Sequence, residues 1–264
     1  MLITSTANPR VKAAARLRER RGRDEQGRII IDGVREIGRA IAAGVELSEL
    51  FFFPQLSQDD EHQAVLDAAR QAGAELVEVT PQVMERLAYG HRVEGVVATA
   101  RPPQRTLADL SLAADALVLV VEGVEKPGNL GAILRTADAA GVAALAVVDG
   151  GTDLYNPNAI RASLGAIFTV PVASAASEAA LDWLRLGGFR LFAARVDAAL
   201  EYTGADYRGR AAIVLGSEAH GLSPLWLQAD ITGVKLPMRG RVDSLNLSAT
   251  AAVLCYEALR QRGA

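Results

Sequence analysis

Short apolar runs alternate along the chain with stretches whose apolar residues recur every three or four positions, the pattern of strands interleaved with amphipathic helices. In the first hundred residues Ile29–Ile31, Leu50–Phe53, Leu76–Val79 and Gly95–Thr99 read as strands. Val34–Ala43, Glu61–Ala72 and Pro81–Leu87 read as the helices between them, with Ile37 and Ile41 one turn apart. Asn8-Pro9 reads as an N-cap followed by proline at the first helical position. The helix it opens sets Arg10, Lys12, Arg16, Arg18, Arg20, Arg21 and Arg23 around a thin apolar stripe of Val11, Ala14 and Leu17, and so reads as mostly solvated.

Two adjacent prolines in Arg101-Pro102-Pro103-Gln104-Arg105 can continue neither a helix nor a central strand, which places a boundary there. The alternation then resumes with longer strands at Ala116–Val121, Ala143–Val148, Thr169–Val172, Arg190–Ala194, Ala211–Leu215 and Gly233–Leu236, and the chain ends in a helix over Leu247–Arg262. Near-continuous apolar runs imply strands buried on both faces, hence a mostly parallel sheet covered by helices. The expected organisation is α/β throughout, with a smaller domain over 1–100, a linker over 101–110 and a second domain over 111–264.

Composition narrows the picture. The chain has 264 residues, 50% of them hydrophobic, and a net charge of −3, which excludes general disorder. Its one cysteine, Cys255, excludes an intramolecular disulfide and a multi-cysteine metal site, and no metal is expected. No apolar run approaches the length of a membrane span, and the basic N-terminus does not resemble a secretion signal, so a cytoplasmic protein without a membrane partner is expected. Residues 1–40 carry ten Lys and Arg against five Asp and Glu, a local balance of +5 that leaves −8 for the rest. On charge alone, only the N-terminal segment looks suited to a polyanion.

Three loops of the second domain follow strands and combine glycines with polar side chains, where α/β sheets bind ligands. The first runs from Glu122 to Arg135 and opens a helix near Asn129, a start whose free N–H groups can receive an anion. The second, Leu215-Gly-Ser-Glu-Ala-His-Gly-Leu222, allows close backbone approach at Gly216 and Gly221. It lacks the second glycine of a serine-hydrolase elbow, and His220 reads as bonded within its own loop. The third, Lys235 to Thr250, places Ser244 and Asn246 where either helix caps or ligand contacts belong, and local pattern does not separate these. Dinucleotide, P-loop and zincin fingerprints are absent. Cys255 sits among Val253, Leu254 and Leu259 and reads as buried.

Together, the segments Lys126–Gly141, Leu215–Leu222 and Leu236–Ser248 resemble, in order and spacing, the three motifs of the SpoU (TrmH-type) RNA ribose 2′-O-methyltransferases of the SPOUT superfamily. The opening Ile3–Arg10 and the stretch Ile31–Glu36 look like the L30e-like substrate-binding domain attached to many members, so the resemblance spans nearly the whole chain. It implies a C-terminal domain with a trefoil knot, S-adenosyl-L-methionine as cofactor, and a homodimer in which the partner completes the site. It also implies that Asn129, Arg135, Glu218, Ser244 and Asn246 form the catalytic set and that Leu215, Gly216, Leu236, Met238 and Leu245 line the cofactor. Ala140, Leu247 and Thr250 depart mildly from the family's usual residues.

With a polyanionic substrate implied, Arg10, Lys12, Arg16, Arg20 and Arg23 are expected to contact RNA phosphates. Ribosomal RNA is favoured over transfer RNA, and DNA is not expected. The alternative readings are a tRNA-directed 2′-O-methyltransferase and a non-catalytic RNA-binding protein on the same fold.

Overall fold

The computed structural model describes residues 1–90 and 93–263. Contacts divide the chain into two compact units, one of Met1–Pro103 with Asp153–Thr169 and one of Gln104–Thr152 with Val170–Ala264.

In the first unit the elements are β1 (Leu2–Ile3), α1 (Pro9–Arg16), α2 (Arg20–Gln26), β2 (Ile29–Asp32), α3 (Val34–Ala42), β3 (Leu47–Phe52), α4 (Asp60–Gln71), β4 (Glu75–Val79), α5 (Pro81–Leu87) and β5 (Val96–Ala100). The strands form a mixed sheet in the order β1-β4-β3-β5-β2. The basic segment expected as one helix is two. α1 is capped by Asn8, whose side chain accepts from Arg10 N at 2.9 Å. It ends at Arg16, where Gly22 of α2 packs on the last turn: a Cβ there would meet Arg16 O at 2.0 Å. Val11, Ala14 and Leu17 are fully buried or nearly so, pinning the segment to the core it was expected only to skirt.

The second unit begins at Gln104, and Leu107 and Leu110, read above as linker, pack into its core. It contains β6 (Leu117–Glu122), α6 (Pro127–Ala139) and β7 (Ala144–Val148). The chain then contributes α7 (Pro157–Ala162) and α8 (Ala166–Thr169) to the first unit, a segment that a single cut near residue 101 assigns to the second. The second unit continues with β8 (Val172–Ala175), α9 (Ser177–Leu186), β9 (Arg190–Ala194), β10 (Leu200–Glu201), β11 (Ala211–Leu215), β12 (Ile231–Lys235) and α10 (Leu247–Gln261). The run expected as a strand over Thr169–Val172 is displaced. Ile167 and Phe168 are buried as a helical turn, an outcome that a short apolar run does not distinguish from a strand.

All neighbours in the seven-stranded sheet, β10-β12-β9-β11-β6-β7-β8, are parallel. The central strands β6, β7 and β11 are buried along their length, as their continuous apolar sequences require. β6 and β11 stand side by side with Val121 opposite Leu215, so the loops that leave their carboxyl ends emerge together. Among the described residues no helix is long and apolar enough to cross a membrane.

Candidate active site

The three polar loops meet in the second unit. α6 starts at Pro127, two residues before the expected start, since proline is favoured at the first helical position. That start presents Asn129, whose Nδ2 donates to Glu218 Oε1 at 2.9 Å. Lys126 Nζ reaches Glu218 Oε2 at 2.6 Å from the same turn. From the third loop Asn246 Nδ2 donates to Glu218 Oε1 at 2.7 Å.

Asn246 does two jobs with one carboxamide. Its Oδ1 caps α10, accepting from Ser248 N at 2.9 Å and Ser248 Oγ at 2.6 Å, while its Nδ2 faces Glu218. Cap and site geometry coincide, and Asn246, not Ser244, is the cap. The Lys126 ammonium, with Asn129 and the N–H of Leu247, holds the Glu218 carboxyl below the usual carboxylate range. Glu218 is therefore an ionised hydrogen-bond acceptor at neutral pH, poorly suited to accept a proton.

The loop bearing Glu218 closes on itself, with Ser217 N and Gly221 O 3.0 Å apart and Gly221 N and Ser217 O also at 3.0 Å. Gly216 is required there, because a Cβ would lie 2.2 Å from the Gly221 carbonyl carbon. Beside this loop lies a cavity of about 450 Å³. Leu215, Gly216, Leu236, Met238 and Leu245 all line it, as do Glu218 and Ser244. Its size suits a nucleoside-sized molecule, and its walls pair apolar side chains with a few polar ones, among them Asp197, Ser217 and Arg195. That donor set fits S-adenosylmethionine, which carries a flat apolar base, ribose hydroxyls and a charged amino-acid tail.

Arg135 is not brought to the cluster. It lies on α6 about 9 Å beyond Asn129 and roughly 240° round the helix. Its side chain is exposed and makes no hydrogen bond or ion pair among the described residues. His220 lines the cavity, and the bond within the loop is made by its backbone N to Ser217 Oγ at 3.0 Å. Cys255 is buried, which pushes its thiol up to about 12, as expected of an inert core residue. Lys126 was not singled out from the sequence; its position immediately before the helix-starting proline was the available signal.

The basic residues of the first unit differ among themselves. Arg23 is 5% exposed, forms an ion pair with Asp153 and donates to Leu17 O at 2.6 Å. A buried, paired guanidinium cannot reach a phosphate, so the expectation of an RNA contact at Arg23 is corrected to a structural role. Arg10 is gripped by Glu49 at 2.7 Å and Glu75 at 2.8 Å. Lys12, Arg16 and Arg20 are exposed, Arg16 being paired with Glu25.

Comparison with known proteins defines the chain further. The SpoU rRNA Methylase family matches residues 116–256, and the MRM3-like substrate binding domain matches residues 8–98. A 23S rRNA (guanosine-2′-O-)-methyltransferase, RlmB of Vibrio vulnificus, is 32% identical over 78% of this chain and 85% of its own. The crystal structure of an RNA 2′-O ribose methyltransferase is 46% identical, with a TM-score of 0.86 over 99% of each chain. An AdoMet-bound rRNA methyltransferase from Sinorhizobium meliloti is 27% identical, with a TM-score of 0.89 over 98% of this chain and 97% of that one. The parallel sheet and its three loops thus define an α/β protein of the SPOUT methyltransferase class. The chain belongs to the SpoU rRNA methylase family.

Proposed function

We propose that the protein transfers a methyl group from S-adenosylmethionine to a ribose 2′-hydroxyl of ribosomal RNA. The observation that carries this reading is the convergence of Asn129, Glu218 and Asn246 beside a cavity lined by Leu215, Gly216, Leu236, Met238 and Leu245. Similarity to 23S rRNA 2′-O-methyltransferases and to an AdoMet-bound rRNA methyltransferase supports both the substrate and the cofactor. The trefoil threading implied by the family and a cytoplasmic location, where ribosomal RNA is found, belong to the same reading.

S-adenosylmethionine supplies an electrophilic methyl on a sulfonium sulfur. Leu236, Met238 and Leu245 would hold the apolar part of the cofactor, and the carboxamides of Asn129 and Asn246 would orient the ribose. Positioning of this kind supplies much of a transfer reaction's barrier reduction. The methyl would pass from that sulfur to the 2′-oxygen, and the hydroxyl proton to the adjacent phosphate or to water. Arg135 clamps that phosphate and stabilises charge developing on the 2′-oxygen, since a guanidinium is a strong donor and a poor proton acceptor. Because Arg135 stands apart from Glu218 within one chain, a second copy completes the site, and the active form is a homodimer.

The test is transfer of labelled methyl from S-adenosylmethionine to unmodified ribosomal and transfer RNA, followed by alkaline hydrolysis. Label in alkali-resistant dinucleotides from ribosomal RNA is the expected result. Label on a base overturns the ribose assignment, label only in transfer RNA overturns the substrate, and absent cofactor binding overturns the enzyme.

A further inference from the structure

The last residue of β6, Glu122, is 6% exposed and has no direct part in the chemistry described above. Its carboxylate collects four donors from two separate parts of the second unit. Oε1 accepts from Ser177 Oγ at 3.0 Å, Ser223 Oγ at 2.7 Å and Trp226 Nε1 at 2.9 Å, and Oε2 accepts from Ser223 N at 2.7 Å. Trp226 is completely buried, and Ser177 is the first residue of α9.

The position of this carboxylate relates it to the cavity. The Gly216–Leu222 loop leaves β11 at Leu215, which lies opposite Val121 on β6. It returns at Ser223, which is bonded to Glu122, the next residue of the same strand. The two ends of the loop are thus tied to consecutive residues of β6, one through the strand ladder and the other through a carboxylate. Gly123, at φ +62°, carries the chain past the loop so closely that a Cβ would sit 3.3 Å from Ser217 Cβ. Between those ties lie Gly216, Ser217, Glu218 and Gly221, which line the cavity.

We infer that Glu122 is the positioning residue of the proposed reaction: its buried carboxylate clamps the exit of the Gly216–Leu222 loop and so sets the register of Glu218 and the cofactor-facing backbone. A neutral group of the same shape cannot do this. The carboxamide introduced by Glu122→Gln would offer one acceptor oxygen and turn an N–H group toward donors, leaving buried N–H and O–H groups unsatisfied. The inference rests on the methyltransferase reading.

The test is Glu122→Gln in the full chain, followed by S-adenosylmethionine titration calorimetry, methyl transfer to RNA, thermal unfolding and the indole ¹⁵N–¹H spectrum. The sequence contains two tryptophans, so Trp226 is resolved from Trp183 by a spectrum with two indole signals. The expected result is a Kd for S-adenosylmethionine about tenfold higher and a kcat about tenfold lower, in a protein still folded at the assay temperature, with the Trp226 indole signal moved from its carboxylate-bonded position. A lower melting temperature with unchanged Kd and kcat means a merely structural residue and overturns the inference. Should Glu122→Gln fail to fold, Trp226→Phe and Ser223→Ala each remove donors while leaving the carboxylate. Each is expected to raise Kd about threefold or more, and unchanged Kd in both overturns the inference. Wild-type protein that binds no S-adenosylmethionine overturns the methyltransferase reading instead, whereas failure of this inference alone leaves wild-type binding intact.

Discussion

Replacing Gly216 by alanine is the sharpest single perturbation of the cavity. The added Cβ would lie 2.2 Å from Gly221 C, 2.4 Å from Gly221 O and 2.4 Å from Leu222 N, all of them backbone atoms that no rotamer change can move aside. To restore ordinary contact the two sides of the loop must part by about 1 Å, which breaks the paired Ser217–Gly221 hydrogen bonds, both 3.0 Å long. At about 1 kcal/mol for each bond, the closed loop loses roughly 2 kcal/mol, or roughly 30-fold in the affinity of a ligand that needs it closed. Calorimetric titration of Gly216→Ala with S-adenosylmethionine reads this directly, with circular dichroism melting to establish that the sheet is intact. Gly151→Ala is the control, because a Cβ there meets nothing within 4 Å. Wild-type affinity in a folded Gly216→Ala protein would refute the reasoning, since it would mean that the loop's closure is not what the ligand recognises.

Three further outcomes are expected. Arg135→Lys retains S-adenosylmethionine affinity and loses kcat by about tenfold or more, because a lysine cannot make the two-pronged phosphate contact; near wild-type turnover refutes the clamp. Neutralising Lys12, Arg16 and Arg20 together lowers the slope of log affinity for single-stranded RNA against log salt by about 2, whereas Arg23→Gln leaves the slope alone and costs about 3 kcal/mol of stability through its unpaired partner Asp153. Burial raises the Asp32 carboxyl to about 6, against the opposing pull of the Tyr89 N–H and the Arg161 guanidinium. The unfolded chain then releases this proton at lower pH than the folded one, so Asp32 costs stability progressively as pH rises from about 4 to about 6, by roughly 3 kcal/mol in all. Urea unfolding at a series of pH values should show Asp32→Asn gaining on wild type across that interval, and a difference independent of pH would count against the buried acid.

Much of the candidate site was legible in the sequence because its residues lie in locally ordered segments. Asn129, Glu218 and Asn246 each lie in a loop that follows a strand, and parallel strands put all such loops at one end of the sheet. The apolar runs of β6, β7 and β11 announced strands covered on both faces, since only that environment removes the need for polar alternation. The division of the basic segment into α1 and α2 was not legible: it goes with Gly22 packing against the Arg16 carbonyl, a contact between turns that charge pattern does not encode. Nor was the placement of Arg23, which differs from Arg16 and Arg20 only in which side of its helix meets the core.

What the sequence determined by itself is the α/β class, the strands and helices whose periodicity is unbroken, and the residue types available at the ends of three strands. Tertiary structure decided which of those residues touch. It brought Lys126 to Glu218 across 92 positions of sequence, tied Ser223 to Glu122 across 101, and returned Asp153–Thr169 to the first unit. The physical reason is common to all three. Periodicity reports which face of an element is buried, whereas the partner of a buried or clustered polar group is chosen by strand order in space, which no local window of the chain contains.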